Sequence, residues 1–474
     1  MALSTIPVEL VLLLPPLLPK QDTSSLSRTC KRLRSIALAH VYKTIKWNWD
    51  VPDAQHLQVV SPPIHLLLRS LIENPAIGGY VEHVDFQGSK SDRRSKSTGT
   101  LWAPEESLKL TDSELPAAMQ WVQYFGLASP ETWSEALGRG DIDVHVSLAL
   151  AFLPNLCSLL LSADFVSNSR FLGCLFKEPL RRDSGIPTVA TFPRFTQLHE
   201  VHLGPVSASE VPMEVHSRFR DMYSVFYLPS LEVLTIEIGA PKNFYWPSLS
   251  QRARLASLTS LKLPHCGATD DALERILSTK PPLKELLYDY SCMEETGHHY
   301  GYFFDLGTLS RALNHVHTTL ESLITRIAFE ADADEFPVYS NGCFKGSLDS
   351  FYHFARLSHL QIPFVMLSDW HRALYQNTRG LPSRLPHSIR QLCLNDDMGG
   401  WEYYARAPRT WIDLVHDLLD EHEVSQGEIG LGLQRVALSL DRSAEHWGKE
   451  DEAQFENICK RYGVQTTLVE MLSR

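Results

Sequence analysis

Bond chemistry requires side chains whose types and spacing converge, and in this 474-residue chain the densest candidates are histidines and carboxylates. His298-His299 follow Glu294-Glu295 closely enough to imitate a metal site. They stand in a Tyr- and Gly-rich stretch, HHYGYFFDLG, with no cysteine or third ligand at a familiar spacing, which favours a solvated or ligand-contacting loop over zinc. Asp332, Asp334 and Glu335 are calcium-type ligands, but the oxygen-ligand loop pattern is absent, so they read as a solvated acidic turn. G-x-S-x-G, a Walker phosphate loop, H-E-x-x-H and the dinucleotide glycine fingerprint are all missing. The sequence therefore assigns no catalytic residue, no metal ligand and no cofactor, and the expectation is a protein that is not an enzyme.

Aromatic clusters are the stronger functional signal. Phe244-Tyr245-Trp246, Tyr300-Gly301-Tyr302, Trp370-His371 and Trp401-x-Tyr403-Tyr404 all fall between strand-like runs, where loops emerge. Tyr245, Trp246, Tyr300, Tyr302, Trp370, Trp401 and Tyr403 are candidate contacts to another protein, because aromatics on loops supply much of the energy of protein interfaces. Filling a wide, irregular core is the competing role for the same residues.

Elements that could position these groups begin at the N-terminus. Residues 6 to 45 read as three short helices. Pro7 suits the start of the first, Glu9 suits its positive end, and Pro15-Pro16 should stop it. Asp22 can cap a second, along which Leu26, Cys30, Leu33 and Ala37 recur at helical spacing. Ala39 to Ile45 would form the third, offering Val41, Tyr42 and Ile45. Forty residues bury little core alone, so their apolar remainder is a reasonable docking surface. The basic cluster Lys31-Arg32-x-Arg34 is open to three readings: solvated helix face, partner-facing charge or nuclear localisation signal.

The order Ile6-Pro7-x-Glu9-Leu10, Leu13, Leu17, Asp22, Leu26-Ser27-Arg28-Thr29-Cys30-Lys31-Arg32-Leu33-Arg34, Ala37, Val41-Tyr42-x-x-Ile45 resembles an F-box of the kind common in fungal proteins. The resemblance covers about forty residues. It implies a three-helix module that binds the Skp-type adaptor of a cullin–RING ubiquitin ligase, with Ile6, Pro7, Leu10, Leu26, Cys30, Leu33, Tyr42 and Ile45 as adaptor-facing or supporting residues. The chain departs from the family's pattern at Thr23-Ser24, where leucines are usual, and at Pro15-Pro16.

Beyond residue 80 a phrase L-x-x-L-x-L recurs in nine variants, from Val81-x-x-Val84-x-Phe86 to Leu433-x-x-Val436-x-Leu438. Each would set the inward residues of one strand into a stack that only its neighbours can cover. LTSLKLPHCGATDDALERIL, residues 258–277, resembles a cysteine-type leucine-rich repeat, and the next copy starts 25 residues on, from Leu258 to Leu283. Other intervals are longer: 42 residues separate Leu161 from Leu203, so these repeats carry insertions. Leu320-x-x-Leu323 opens a weak copy in which Thr325 stands where an apolar residue belongs. A non-repetitive, leucine-rich α/β domain is the alternative. Ala117 to Phe125 and Ser147 to Phe152 read as amphipathic helices, Gln87 to Thr100 as a mobile loop, and the tail as a helix with Phe455, Ile458 and Cys459 on one face followed by a strand over Val464 to Val469.

The expected architecture is thus α/β: an F-box over 1–48; a linker helix, first repeat strand and mobile loop over 49–100; and an irregular leucine-rich-repeat solenoid, horseshoe-like, with a C-terminal cap over 101–474. With 44 basic and 56 acidic residues, a net −12, a general nucleic-acid binder is disfavoured. Eight scattered cysteines without a C-x-x-C pair suggest a reducing intracellular compartment, cytoplasm or nucleus. Val8 to Leu18 has the length of a signal-peptide core, but Glu9 and the proline pair interrupt it, and no run reaches the length of a membrane span. The expected role is substrate recognition in a Skp–cullin–F-box ligase, with the repeats holding a client protein. The alternative is a repeat scaffold that recruits no ligase.

Overall fold

A computed structural model describes residues 7–50, 63–89, 108–162, 170–182, 195–204, 222–236, 246, 255–266, 270–293, 304–330, 344–346, 348, 351–367, 385–395, 408–425, 432–441 and 448–471. The chain divides into two compact units, residues 1–236 with 245–254, and residues 237–244 with 255–474.

The first unit contains α1 (Val8–Val11), α2 (Lys20–Ser27), α3 (Lys31–Lys43), β1 (Thr44–Asp50), α4 (Ile64–Glu73), β2 (His83–Ser89), α5 (Glu114–Tyr124), α6 (Pro130–Arg139), α7 (Ile142–Ala151), β3 (Ser158–Leu161), α8 (Arg170–Arg182), β4 (Glu200–Leu203) and β5 (Val233–Ile236). Its strands pair in the order β1-β2-β3-β4-β5, and every pair is parallel. Because alternate strand residues face opposite sides, the recurring phrase sends its second and third apolar positions to the same face. Ile45, Val84, Leu159, Val201 and Leu234 align across all five strands, and Trp47, Phe86, Leu161, Leu203 and Ile236 form the next row. The Trp47 and Phe86 rings stack with centroids 4.6 Å apart. The first position of each phrase, Val81, Leu156, Leu198 or Leu231, is buried just ahead of its strand. There the backbone joins the repeats: the Glu82 N–H donates to the Lys43 carbonyl, Cys157 to Glu82, His199 to Cys157 and Glu232 to His199, at 2.7 to 3.0 Å.

The second unit contains β6 (Ser260–Cys266), α9 (Asp270–Leu277), β7 (Glu285–Met293), β8 (Phe304–Asp305), α10 (Leu306–Asn314), β9 (Ser322–Glu330), β10 (Phe344–Lys345), β11 (His359–Pro363), α11 (Phe364–Leu367), β12 (Gln391–Asn395), α12 (Pro408–Ser425), β13 (Arg435–Asp441), α13 (Lys449–Arg461) and β14 (Gln465–Met471). Its parallel order is β6-β7-β9-β11-β12-β13-β14, with β8 and β10 forming a separate short pair. The weak copy at Leu320 is a full strand, β9. Its Thr325 takes a core position, 1% exposed, and its hydroxyl donates to the Gln361 carbonyl at 3.3 Å. Asn395 donates to the Thr325 carbonyl and accepts from the Gln361 amide, each at 3.1 Å, so the polar groups of three adjacent strands are bonded to one another. As expected, α9 buries Leu273, Ile276 and Leu277; on α13 Phe455 and Cys459 are buried and Ile458 is half-buried.

Several expectations are corrected. The expected third helix, Ala39 to Ile45, is the C-terminal part of α3 as far as Lys43, and Ile45 and Trp47 of an eleventh phrase, Tyr42-x-x-Ile45-x-Trp47, lie instead in strand β1. The boundary expected at residue 48 falls inside this strand, because α3 leads straight into it at an extended Thr44. β2 runs through Ser89, into the expected mobile loop, whose remaining residues 90–100 lie outside the described ones. Helix α7 is not amphipathic: all residues from Asp143 to Ala151 are buried, because α4, α6 and α8 pack around it. Helix α6 was not anticipated, although Pro130 at its start and the left-handed Gly140 at its end are helix signals.

Within α7, the buried Asp143 carboxylate accepts the N–H of Phe171, 3.1 Å away, at the start of α8, where helical N–H groups lack internal partners. Burial pushes this carboxyl up to about 7 from 3.8, against the hydrogen bonds from Phe171, Leu172 and Ser147 that hold it down. A raised carboxyl value means that the folded chain binds the proton more tightly than the unfolded one. The contribution to stability is therefore complete below the unfolded value and is lost as pH rises toward 7. Asp143→Asn should make the fall in unfolding free energy between about pH 4 and 7 shallower than in the wild type, as read from urea titrations at stepped pH. At Gly78, a Cβ would lie 2.0 Å from the carbonyl oxygen of Phe152, a backbone atom that cannot swing aside. Gly78→Ala should destabilise the first unit by about 1–3 kcal/mol, measurable by the same titration.

Candidate functional site

The candidate docking surface is built from very short elements. Pro7 accepts the first helical N–H groups, from Leu10 and Val11, and α1 completes only one turn. Pro15 and Pro16 open a single 3₁₀ turn, Pro15–Leu17, because a proline N has no hydrogen to continue an α-helical ladder. The chain then extends through Leu18 and Pro19 and enters α2.

A continuous helix from Asp22 to Ala37 does not form. The Ser27 and Thr29 hydroxyls donate back to the carbonyls of Ser24 (2.6 Å) and Leu26 (2.8 Å), the N–H groups of Arg28 and Thr29 close a tight turn, and Cys30 is extended. Such local side-chain bonds compete with the helical ladder. The expected stripe is therefore divided. Leu33 and Ala37 are buried on α3, Leu26 is half-buried on α2, and Cys30 is exposed at the junction. Tyr42 is half-buried near the end of α3, while Ile45 is a core residue of β1. Pro7 and Leu10 are exposed, and Ile6 lies outside the described residues.

The two departures from the F-box pattern are connected. Thr23 is buried, 2% exposed, and its hydroxyl lies within hydrogen-bonding reach of the Pro19 carbonyl (3.2 Å) and the Pro15 carbonyl (3.5 Å). A leucine at this position would keep the backbone N–H bond to the Pro19 carbonyl, 3.0 Å, but would offer no hydroxyl to either carbonyl. Thr23 thus belongs to the proline turn, and the Lys20 ammonium ties the start of α2 to the Thr44 carbonyl of β1 at 2.8 Å.

With Val11 and Pro15 buried and Leu14 half-buried, most of the other large side chains of this segment face water. Val8, Leu10, Leu12, Leu13, Leu17 and Leu18 are all exposed, Leu17 by 79% and Leu13 by 60%. They are six of the ten exposed large apolar side chains among the described residues. Of the six, the F-box-like motif includes Leu10, Leu13 and Leu17, and Leu10 alone is among the adaptor contacts it implies. The density of leucines between Glu9 and Pro19 was the available signal, since one helical turn and one 3₁₀ turn cannot bury them all.

Of the aromatic candidates, Tyr245, Tyr300, Tyr302, Trp370, Trp401 and Tyr403 lie outside the described residues, as do His298, His299, Asp332, Asp334 and Glu335. Trp246 is half-buried, and its ring meets Phe226 and Tyr227 edge-on at 5.8 and 6.0 Å, a packing role. Phe304, which ends the Tyr- and Gly-rich stretch, is likewise buried, 5.0 Å from the Tyr290 ring. Among the described residues no group of three or more His, Cys, Asp or Glu side chains could hold a metal ion, and no helix is long and apolar enough to cross a membrane. The chain matches no family model and no curated protein.

Thr23→Val removes only the hydroxyl from the proline turn. It should cost about 1 kcal/mol and speed amide hydrogen exchange in α2 more than in the strands.

Proposed function

We propose that the protein is the substrate-recognition subunit of a Skp–cullin–F-box ubiquitin ligase, docking the adaptor through residues 7–43 and holding a client protein on a leucine-rich-repeat solenoid. The observation that carries this reading is the crowding of six exposed large apolar side chains into residues 8–18. An exposed patch of that kind marks a surface that another molecule covers. Beneath it, Leu33, Ala37 and Ile45 act as supports: they are buried, and they fix the helices to the first strand. Leu10, Leu13 and Leu17 are the contacts of first choice.

The repeat reading is supported by the in-register rows of the two parallel ladders and by the strand-to-helix passage from β6 to α9. An intracellular, reducing setting is supported by Cys30, Cys157, Cys174, Cys266, Cys393 and Cys459, all of which are free thiols. In this role the protein performs no bond chemistry. It raises the effective concentration of client lysines near a ubiquitin-charged enzyme, turning a bimolecular encounter into an intramolecular one.

Leu10→Asp combined with Leu17→Asp changes side chains that are already exposed, so the fold should be retained in circular dichroism. Co-expressed with a Skp-type adaptor, the wild-type chain should retain it on affinity purification and the double variant should lose it. Equal retention by both, or by neither, would leave a repeat scaffold without ligase recruitment as the better reading.

A further inference from the structure

We infer that the partner docking on residues 8–34 carries an acidic rim around its apolar groove, and that this charge, attracted by the cations of α2 and α3, sets the association rate. The inference rests on the adaptor-docking reading and specifies the chemistry of its partner. Between Pro7 and Ser35 the chain has five cations, Lys20, Arg28, Lys31, Arg32 and Arg34, against two anions, Glu9 and Asp22. The segment is therefore +3 in a chain whose total is −12. Arg28, Lys31 and Arg34 are exposed and form no ion pair among the described residues. The nearby lysines of the α3–β1 junction behave differently: Lys43 pairs with Glu82 at 2.9 Å and Lys46 with Asp85 at 2.7 Å.

Arg28, Lys31 and Arg34 thus stand exposed and without an ion pair in the segment that also carries the exposed leucines, while Lys43 and Lys46 are paired with Glu82 and Asp85. A partner with a basic face would meet like charge and a neutral one would gain no attraction, whereas an acidic rim is attracted over a Debye length of about 8 Å at physiological salt. Rim charges of this kind act mainly on the association rate, and the buried apolar contacts act on the dissociation rate. The leucines and the cations should therefore separate kinetically.

The test is stopped-flow or surface-based kinetics of the full chain with a purified Skp-type adaptor across a salt series. Raising NaCl from about 50 to 500 mM should slow wild-type association roughly tenfold. Lys31→Glu with Arg34→Glu should slow association roughly tenfold at low salt, converge with the wild type at high salt and leave dissociation unchanged. Leu13→Asp should instead accelerate dissociation. Adaptor binding with an association rate indifferent to salt and to charge reversal overturns the inference and leaves the docking reading standing. Absence of adaptor binding at any salt overturns both. In that case, binding of the wild-type chain to phosphatidylserine vesicles, or salt-labile self-association in sedimentation, would reassign the face to a membrane or to a second copy.

Discussion

The parallel register of the strands is the constraint on which the rest of the protein depends. Within the ladder of each unit, as far as β13, the residue ahead of a strand donates its N–H to the carbonyl of the residue ahead of the preceding strand, as in Glu321 to Lys284 and Ser358 to Glu321. This keeps Leu286, Leu323, Leu360, Leu392 and Val436 in one buried row. A strand of four or five residues has no stability of its own, so a slip of one residue would turn every apolar side chain of the row toward water. The register also explains why a polar residue is tolerated at Thr325: the neighbouring strands place Gln361 and Asn395 where they satisfy it.

The same register determines how the N-terminal helices are held. Because β1 pairs with β2 over seven residues, α3 is fixed at its C-terminal end, and Leu33 and Ala37 are buried on it. Among the described residues, no strand pairing anchors α1 and the proline turn, in which Val11 and Pro15 are the buried side chains. Their leucines are consequently presented on a supported but shallow surface. The ion pairs Lys43–Glu82 and Lys46–Asp85 are largely exposed and contribute little to stability. Their effect is to neutralise charge on the sheet side of the junction, leaving the positive excess on α2 and α3.

Periodicity made the strands legible. Every residue triplet of the recurring phrase lies at a described strand, and even the weak copy at Leu320 is one of them. The helices were less legible, for identifiable reasons. Leu26, Cys30, Leu33 and Ala37 have helical spacing whether or not the backbone is continuous, and the break depends on hydroxyl-to-carbonyl bonds from Ser27 and Thr29 that periodicity does not register. Ile45 and Trp47 fit a strand as well as a helix, and pairing with β2 decides between them. Within the candidate site, Pro7, Leu10, Leu13 and Leu17 belong to the motif, but its pattern does not distinguish exposed leucines from buried ones, and Val8, Leu12 and Leu18 stand outside it.

The sequence by itself determined the α/β class, the repeated parallel strands and the apolar rows, because a period-two pattern with a fixed lead residue has few other ways to bury its leucines. It also determined the positive charge of the N-terminal segment within an acidic chain. Tertiary structure decided which leucines are core and which are surface, made Thr23 a partner of the proline turn, and placed Trp246 and Phe304 in packing roles. Burial depends on which segments meet in space, and residue type together with local spacing does not contain that information.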